Sequence, residues 1–253
     1  MLKFIYIIIF IFILYQYKLN YRYFIGFKVN FENLKIVENK NYRDYECFNK
    51  TECITISERV KILKNIWETR KYGTFKTLGK AVYLNDHYEK NINKILINNF
   101  KHMYEIIANK LSKILQEPVY FKSDGFIPGF HIFERSFANN LPIMSIHLDQ
   151  QQYFVNWKDQ SLCDYNNPYT FTVCFEKPKS GAGIYIFDGR LESNAYDVTK
   201  RDKEYIEYKL GYLNIHDGLN WHMISHKNIR EGEYRITLQG HLLKYDNKWL
   251  IYW

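Results

Sequence analysis

The sequence predicts a mainly β protein in which two antiparallel sheets form a sandwich of the jelly-roll kind, preceded by helices. After Pro118, short runs of β-branched and aromatic residues are separated by Gly, Pro, Asn or Asp. Helical periodicity occurs in the part of the chain before Pro118. Because helices precede the strands instead of alternating with them, a parallel α/β sheet is disfavoured.

The length and composition set the scale of the fold. With 253 residues, 47% of them hydrophobic, the chain can form one large domain or two small ones. We divide it into an N-terminal segment (1–25), a stem and helical support region (26–117) and a β core (118–253).

The N-terminal segment contains an unbroken apolar run, Phe4–Tyr15, bounded by Lys3 and Lys18. A spanning helix needs about 20 residues, whereas the apolar part of a signal peptide has about 7–15. No small-x-small cleavage site follows, and apolar residues within 4–25 can extend the run. We therefore interpret residues 1–25 as an uncleaved signal-anchor. A cleaved signal peptide is the runner-up, and a buried helix of a soluble protein is the third reading.

The orientation of this anchor has two readings. Lys18 and Arg22 follow the run and favour a cytosolic body. The glycosylation sequon Asn49–Thr51 favours the lumen of the secretory pathway, as does an even number of cysteines. The four cysteines form two close pairs in the sequence, Cys47 with Cys53 and Cys163 with Cys174. We expect a lumenal body, with the cytosolic orientation as the alternative.

Two helices are predicted in the support region. Ser57 is the expected N-cap of a helix over 58–67, and a second helix is expected over 91–115. The second helix has one apolar stripe, which predicts core packing. Its members are Ile92, Ile95, Leu96, Phe100, Met103, Ile107, Leu111 and Leu115.

Eight strands are predicted after Pro118. Their ranges are Pro118–Phe121, Gly129–Phe133, Met144–Tyr153, Tyr169–Phe175, Gly183–Phe187, Tyr212–His216, His222–Ile224 and Tyr234–Leu243.

The formal net charge of +8 does not come from a basic cluster after the first 30 residues, because lysines are scattered among Asp and Glu. This pattern is typical of a solvated surface rather than of a nucleic-acid groove. A protein or a glycan is therefore favoured over nucleic acid as the partner.

His147 and Asp149 form an H-x-D triplet within a predicted strand. Residues i and i+2 of a strand point to the same side, so an imidazole and a carboxylate project together. Two His and one carboxylate form the facial triad of non-haem Fe(II) sites. We expect His222 to be the third ligand, with His226 and His216 as alternatives.

Arg235 and Thr237 share a face of the last predicted strand. A guanidinium binds a carboxylate bidentately and a hydroxyl adds one more hydrogen bond, as a dicarboxylic co-substrate requires. An ordinary salt bridge of Arg235 is the alternative. His131, Gln151 and Tyr153 are further candidates for the co-substrate or for orienting a ligand, although packing explains each equally well.

The region 118–243 resembles the 2-oxoglutarate- and Fe(II)-dependent dioxygenase superfamily, whose fold is the double-stranded β-helix. The resemblance lies in H-x-D at His147 and Asp149, a distal His, and Arg-x-Thr at Arg235 and Thr237. The segments Pro128–Phe133 and Arg235–His241 also look like a little-described branch of that superfamily. Arg235 lies 13 residues after His222 and nine after His226, and the first spacing is longer than usual.

The resemblance implies an oxygenase that hydroxylates an unactivated C–H of a protein side chain, glycan or other substrate. Succinate and CO2 would be the co-products. Fe(II) would be bound by His147, Asp149 and His222, and 2-oxoglutarate by a second set of residues. That set is Arg235, Thr237, His131 and Tyr153. The alternatives are a non-catalytic jelly-roll binding module and a cupin-like metalloprotein that does not use 2-oxoglutarate.

Overall fold

The computed structural model describes residues 42–70, 75–84, 90–135, 146–190, 198, 201–225 and 228–253. The proposed signal-anchor at 1–25 lies outside these residues. Within the described part of the chain, no helix is both long enough and apolar enough to cross a membrane. The anchor therefore stays a prediction.

The described residues contain two α-helices and twelve strands. The helices are α1 (Lys50–Ile62) and α2 (Lys90–Leu115), and the strands are β1 (Tyr42–Glu46), β2 (Glu68–Arg70), β3 (Phe75–Leu78), β4 (Val119–Phe121), β5 (Gly129–Glu134), β6 (Tyr169–Glu176), β7 (Gly183–Arg190), β8 (Lys203–Glu207), β9 (Tyr212–Asp217), β10 (Asn220–Ile224), β11 (Tyr234–Tyr245) and β12 (Lys248–Tyr252).

The strands form two sheets. A nine-stranded sheet has the order β1-β9-β6-β11-β5-β3-β2, with β12 pairing with both β11 and β4, and a three-stranded sheet has the order β10-β7-β8. Every pair is antiparallel except β12 with β4. This mainly β, antiparallel architecture with few helices is consistent with a jelly-roll core, as the sequence predicts.

Seven of the eight predicted strands are present. The prediction for Met144–Tyr153 was wrong in its described part, because His147 forms only an isolated bridge and Gln151–Tyr153 is a 3-10 turn. Strands β1, β2 and β3 lie before position 118 but pair within the large sheet. That sheet therefore contains residues of both the predicted support region (26–117) and the predicted β core (118–253).

Helix α1 begins earlier than predicted. Asn49, not Ser57, is the N-cap: its side chain accepts from the Glu52 backbone N–H at 3.0 Å, and Glu52 accepts from the Asn49 backbone N–H at 2.7 Å. This reciprocal pair is a capping box, which fixes the start of the helix. Ser57 lies inside α1, and its hydroxyl donates to Glu176.

Helix α2 covers one face of the large sheet, as its apolar stripe predicts. Its non-helical backbone at Phe100 does not interrupt this packing. Five members of the stripe are buried, and each contributes roughly 1.5–3 kcal/mol by leaving water. They are Leu96, Phe100, Met103, Ile107 and Leu111.

Period-two alternation gives the large sheet one apolar face and one polar face. On β11, Ile236, Leu238 and Leu242 belong to the core under the helices. The intervening residues Arg235 and Thr237 alternate with them and are also buried. Successive side chains of a strand point to opposite faces, so the strands that face the helices also line a polar interior. Buried polar residues alternate in the same way on neighbouring strands: His131 on β5, Thr170 and Thr172 on β6, Asn214 and His216 on β9, and His241 on β11.

All four cysteines lie within the described residues and are free thiols. The structure therefore does not contain the pairing that supported a lumenal body. The sequon at Asn49 remains as an argument for that compartment.

Candidate metal centre

Two histidines form the base of the site through backbone pairing. His147 and His222 exchange both backbone hydrogen bonds at 3.0 Å, which makes them directly opposed residues of an antiparallel bridge. Opposed residues of such a pair project their side chains to the same side. The two imidazole rings accordingly lie 4.4 Å apart between centroids.

Asp149 completes a three-residue group. Its backbone N–H donates to the Gly218 carbonyl at 3.0 Å, which fixes the chain two residues beyond His147. Its carboxylate lies 3.9 Å from His147 Nε2 and 3.4 Å from His222 Nε2. One ligand atom from each residue lies within 4.8 Å of the other two. A divalent ion with bonds of about 2.1 Å can therefore contact all three after small side-chain movements.

The hydrogen bond of His222 determines which ring nitrogen can bind a metal. Its Nδ1 lies 2.9 Å from the Asn220 carbonyl oxygen, which can only accept, so Nδ1 carries the proton. Nε2 then presents a lone pair towards the Asp149 carboxylate. A backbone carbonyl that fixes the tautomer in this way is typical of metal-binding histidines.

The charges of the site favour a bound cation. Asp149 Oδ2 is buried and has no hydrogen-bond partner in the described part of the chain, while Oδ1 accepts from Gln151 Nε2 at 3.0 Å. Burial opposes ionisation of Asp149, but the surrounding imidazoles, His222 foremost, outweigh it and hold the carboxyl pKa below its usual range. Burial lowers the pKa of His222 to about 3, so its imidazole is neutral near pH 7. A carboxylate oxygen facing a lone pair is unfavourable unless a positive ion lies between them.

The site is closed on one side and open on the other. The side chains of Asp149 and His222 are 1% and 2% exposed, whereas that of His147 is 38% exposed. Of the alternative distal ligands, His226 lies outside the described residues. The His216 ring packs 5.0 Å from that of His222, and its Nδ1 pairs with the Asp217 carbonyl.

Arg235 is a buried cation without an acidic partner in the described part of the chain. Its guanidinium donates to the carbonyls of Ser225 and Gly183 at 3.3 and 3.5 Å, and its Nε has no hydrogen-bond partner among the described residues. It lies over the rings of Phe133 and Tyr208, at 5.2 and 5.3 Å. Within the described residues, Arg235 therefore does not form the ordinary salt bridge that was the alternative interpretation of its sequence. Its positive charge remains available to an anionic ligand.

The other predicted co-substrate residues differ in their placement. Thr237 is buried and lies opposite His131 in the β11–β5 register. His131 is also buried, but its Nε2 is bonded to the Tyr83 hydroxyl at 2.6 Å. Tyr153 is 53% exposed and stacks on Tyr165 at 5.1 Å. The 3-10 turn after Asp149 takes Tyr153 off the face that an extended strand would give it.

The sequence reasoning did not identify His241 as part of this region. His241 is six residues after Arg235 on the same strand, so the i, i+2 periodicity that linked Arg235 to Thr237 also reaches it. Its imidazole interacts with the Asp149 charge, and burial lowers its pKa to about 4. Ser225 and Gly183, whose carbonyls hold Arg235, carry no signal in the sequence.

No family model and no curated protein matches this chain. Among solved structures it is similar to an N-substituted L-amino acid dioxygenase from Burkholderia ambifaria in complex with α-ketoglutarate, at 12% identity over 84% of this chain and 86% of that one, with a TM-score of 0.47.

Two further solved structures are similar to the chain. One is the α-ketoglutarate-dependent epimerase SnoN from nogalamycin biosynthesis, at 10% identity over 79% of this chain and 76% of that one, with a TM-score of 0.49. The other is a prolyl-4-hydroxylase from Pseudomonas putida, at 11% identity over 81% and 92%, with a TM-score of 0.40. Since these TM-scores are below 0.5, the functional argument depends on the residues of the site itself.

Proposed function

We propose that this chain is an Fe(II)- and 2-oxoglutarate-dependent oxygenase with a double-stranded β-helix core. It hydroxylates an unactivated C–H of a protein side chain or glycan, with succinate and CO2 as co-products. The observation that carries the proposal is a group of three candidate metal ligands together with a buried arginine that has no acidic partner among the described residues. Two His and one carboxylate suit Fe(II) and leave coordination positions open for a co-substrate.

The separation of the two groups fits a five-carbon dicarboxylate. Ser225, whose carbonyl holds Arg235, is three positions after His222 along the chain that continues β10. At about 3.3 Å per residue, Arg235 lies roughly 10 Å along the strand from the metal site. One carboxylate of 2-oxoglutarate can then bind near the metal while the other is bound by the guanidinium fork, with Thr237 as a second contact.

In this proposal each residue of the site has a different role. Arg235 anchors the co-substrate, Gln151 orients the Asp149 carboxylate, and the Asn220 carbonyl orients His222. Burial of Asp149 and His222 excludes water from that side of the centre, and the exposed side of His147 admits the primary substrate. Bound Fe(II) and 2-oxoglutarate supply the activation of dioxygen. Since Asp149 remains as a ligand, hydroxylation is favoured over halogenation.

The test is an anaerobic titration of the protein with Fe(II) and then 2-oxoglutarate. We expect a weak visible charge-transfer band that requires both additions. Asp149→Ala should abolish the band, whereas Asp124→Ala, which removes an exposed carboxylate paired with Lys122, should retain it.

Two outcomes contradict the proposal. Tight iron binding with no response to 2-oxoglutarate indicates a cupin-like metalloprotein. Failure to bind either addition indicates a jelly-roll binding module without a redox role.

A further inference from the structure

The connection between β9 and β10 is a two-residue turn that leads from the large sheet to the small one. Strand β9 ends at Asp217 and β10 begins at Asn220, and the two strands belong to different sheets. The turn residues Gly218 and Leu219 are buried, so the turn lies inside the protein. His222 is the third residue of β10, and a shift of the turn would therefore move this candidate ligand.

Two carbonyls at this turn bind two of the candidate metal ligands. The Gly218 carbonyl accepts from the Asp149 backbone N–H at 3.0 Å. The Asn220 carbonyl accepts from Nδ1 of His222 at 2.9 Å, which leaves the Nε2 lone pair of that ring for a metal. The backbone position of one ligand and the tautomer of another therefore both depend on where these carbonyls are held.

The side chain of Asp217 holds the turn. Its Oδ1 accepts from the Leu219 backbone N–H at 2.9 Å, which is the two-residue side-chain bond of an Asx turn. On the other side, the Gly218 N–H donates to the Pro168 carbonyl at 2.9 Å. Leu219 is only 4% exposed, so water does not readily replace an acceptor that its N–H has lost. Removal of the Asp217 carboxylate should therefore displace the turn.

We propose that Asp217 is a positioning residue of the metal centre. By holding the β9–β10 turn, it keeps the Gly218 carbonyl on Asp149 and the Asn220 carbonyl on the ring of His222. It acts through these carbonyls and not as a ligand, since the three ligands grouped among the described residues do not include it. This inference rests on the proposed metal-dependent function. Groups that orient a metal ligand in this way change metal affinity by about 10- to 100-fold when they are lost.

The first experiment measures Fe(II) affinity under anaerobic conditions in a graded series of full-length variants. Asp217→Asn removes the negative charge but keeps a side-chain oxygen that can accept from the Leu219 N–H. Asp217→Ser forms the same type of bond more weakly, and Asp217→Ala cannot form it. We expect the Asn variant to bind Fe(II) nearly as tightly as the parent, the Ala variant about 10-fold or more weakly, and the Ser variant to lie between them.

The matched control is Asp159→Ala. The Asp159 side chain accepts from the Ser161 backbone N–H, also two residues further on and also at 2.9 Å. This second bond of the same type lies in an exposed turn that contains none of the candidate ligands. Asp159→Ala should therefore leave the Fe(II) affinity unchanged.

The second experiment needs no metal. Nitrogen-15 NMR of the metal-free chain, labelled at histidine, reports which ring nitrogen carries the proton, and the signal lost in His222→Gln identifies His222. In the parent this ring should be protonated at Nδ1. Asp217→Ala should shift it towards protonation at Nε2, whereas Asp217→Asn and Asp159→Ala should not. A role in folding alone would lower the unfolding midpoint of Asp217→Ala without changing this tautomer.

The inference is overturned if Asp217→Ala keeps the Fe(II) affinity of the parent or its His222 tautomer. It is also overturned if Asp217→Asn loses as much affinity as Asp217→Ala, because the effect would then come from the charge. Should the Ala variant not fold, parent-like affinity in Asp217→Ser has the same consequence. The oxygenase proposal fails separately, if the parent binds neither Fe(II) nor 2-oxoglutarate, and the tautomer of the metal-free protein then still decides the role of Asp217.

Discussion

At the scale of single residues, Asp149 and Arg235 are buried charged groups that each keep one polar atom without a hydrogen-bond partner among the described residues. Asp149 Oδ2 has no partner, and Arg235 has no acidic partner in the described residues. Unpaired buried charge destabilises a protein by several kcal/mol. Both residues are explained if ligands neutralise them, a cation for Asp149 and a carboxylate for Arg235.

The first prediction assigns the distal metal ligand. His222→Gln should weaken Fe(II) binding by roughly 100-fold or more, since even the outer partners of a ligand change metal affinity by about 10- to 100-fold. His216→Gln should retain binding, because His216 is not one of the three grouped residues. Metal content after dialysis measures both. Loss of iron in His226→Gln, with iron retained in His222→Gln, would move the ligand to position 226.

The second prediction concerns the co-substrate. Arg235→Ala should weaken 2-oxoglutarate affinity by roughly 30- to 1000-fold, about 2–4 kcal/mol for a bidentate charged contact, without loss of iron. Arg235→Lys should restore only part, because an ammonium cannot form the fork. Thr237→Ala should cost about tenfold. Arg135→Ala, which breaks an exposed pair with Glu231, is the control. Unchanged 2-oxoglutarate affinity in Arg235→Ala would contradict the co-substrate assignment.

The third prediction concerns pH. Burial lowers the pKa of His241 to about 4, whereas an unfolded histidine titrates near 6.5. Between about pH 6.5 and 4 the unfolded chain therefore binds a proton that the folded chain does not, and the free energy of unfolding falls as the pH falls. The lowered pKa of Asp149 acts in a different window, since its contribution is lost only below about pH 3.9.

Denaturant unfolding of the metal-free protein at pH 7, 6 and 5 tests this dependence. His241→Gln should reduce the slope by up to about 1.4 kcal/mol per pH unit. An equal slope in parent and variant would show that folding does not lower the pKa of His241.

At the scale of secondary structure, strand pairing brings the ligands together. The bridge between His147 and His222 aligns two segments 75 residues apart, and the hydrogen bond from the Asp149 N–H to the Gly218 carbonyl fixes their register. A slip of one residue would turn each side chain to the opposite face. The H-x-D spacing alone predicted that His147 and Asp149 act together. It could not predict the turn that takes Tyr153 away from them.

The fourth prediction concerns the start of helix α1. Asn49→Ala should lower the free energy of unfolding by about 0.5–2 kcal/mol, because the Glu52 N–H loses its acceptor. Asn49→Asp keeps a side-chain oxygen at this position and should be nearly neutral. Chemical denaturation of the three proteins measures the difference. Equal losses in both variants would mean that the capping box does not stabilise the helix.

At the scale of the whole molecule, the large sheet separates two environments. One face packs on the helices, and the other presents polar groups to the interior where the proposed site lies. The helices therefore support the site without contributing a metal ligand from the described residues.

The fifth prediction concerns compartment. Expressed in a eukaryotic cell, the chain should be membrane-associated through residues 4–25 and should increase in mobility when N-linked glycans are removed. Asn49 is exposed, and its cap uses Oδ1, which leaves Nδ2 for a glycan. Asn49→Asp, which retains the cap, should abolish the shift. A parent chain without any shift would favour the cytosolic orientation that Lys18 and Arg22 indicate.

The sequence by itself determined the features that depend on local periodicity. These are the buried stripe of α2, seven strands after Pro118, and the pairings of His147 with Asp149 and of Arg235 with Thr237. Alternation in strands and helical spacing relate residues only a few positions apart, so both patterns can be recognised directly in the sequence. The capping box of Asn49 and Glu52 can also be recognised in the sequence, but Ser57 was predicted as the N-cap in its place.

The tertiary structure alone decided what depends on contacts between distant segments. Pairing with β9 and β5 places Tyr42–Glu46 and Phe75–Leu78 in the large sheet, far along the chain from most of its other strands. It also decided that His222 lies opposite His147, that Arg235 has no acidic partner among the described residues and that His241 pairs with Tyr252. Long-range pairing and burial set these relations, because a buried polar group shows whether it has a partner only after the chain has packed around it.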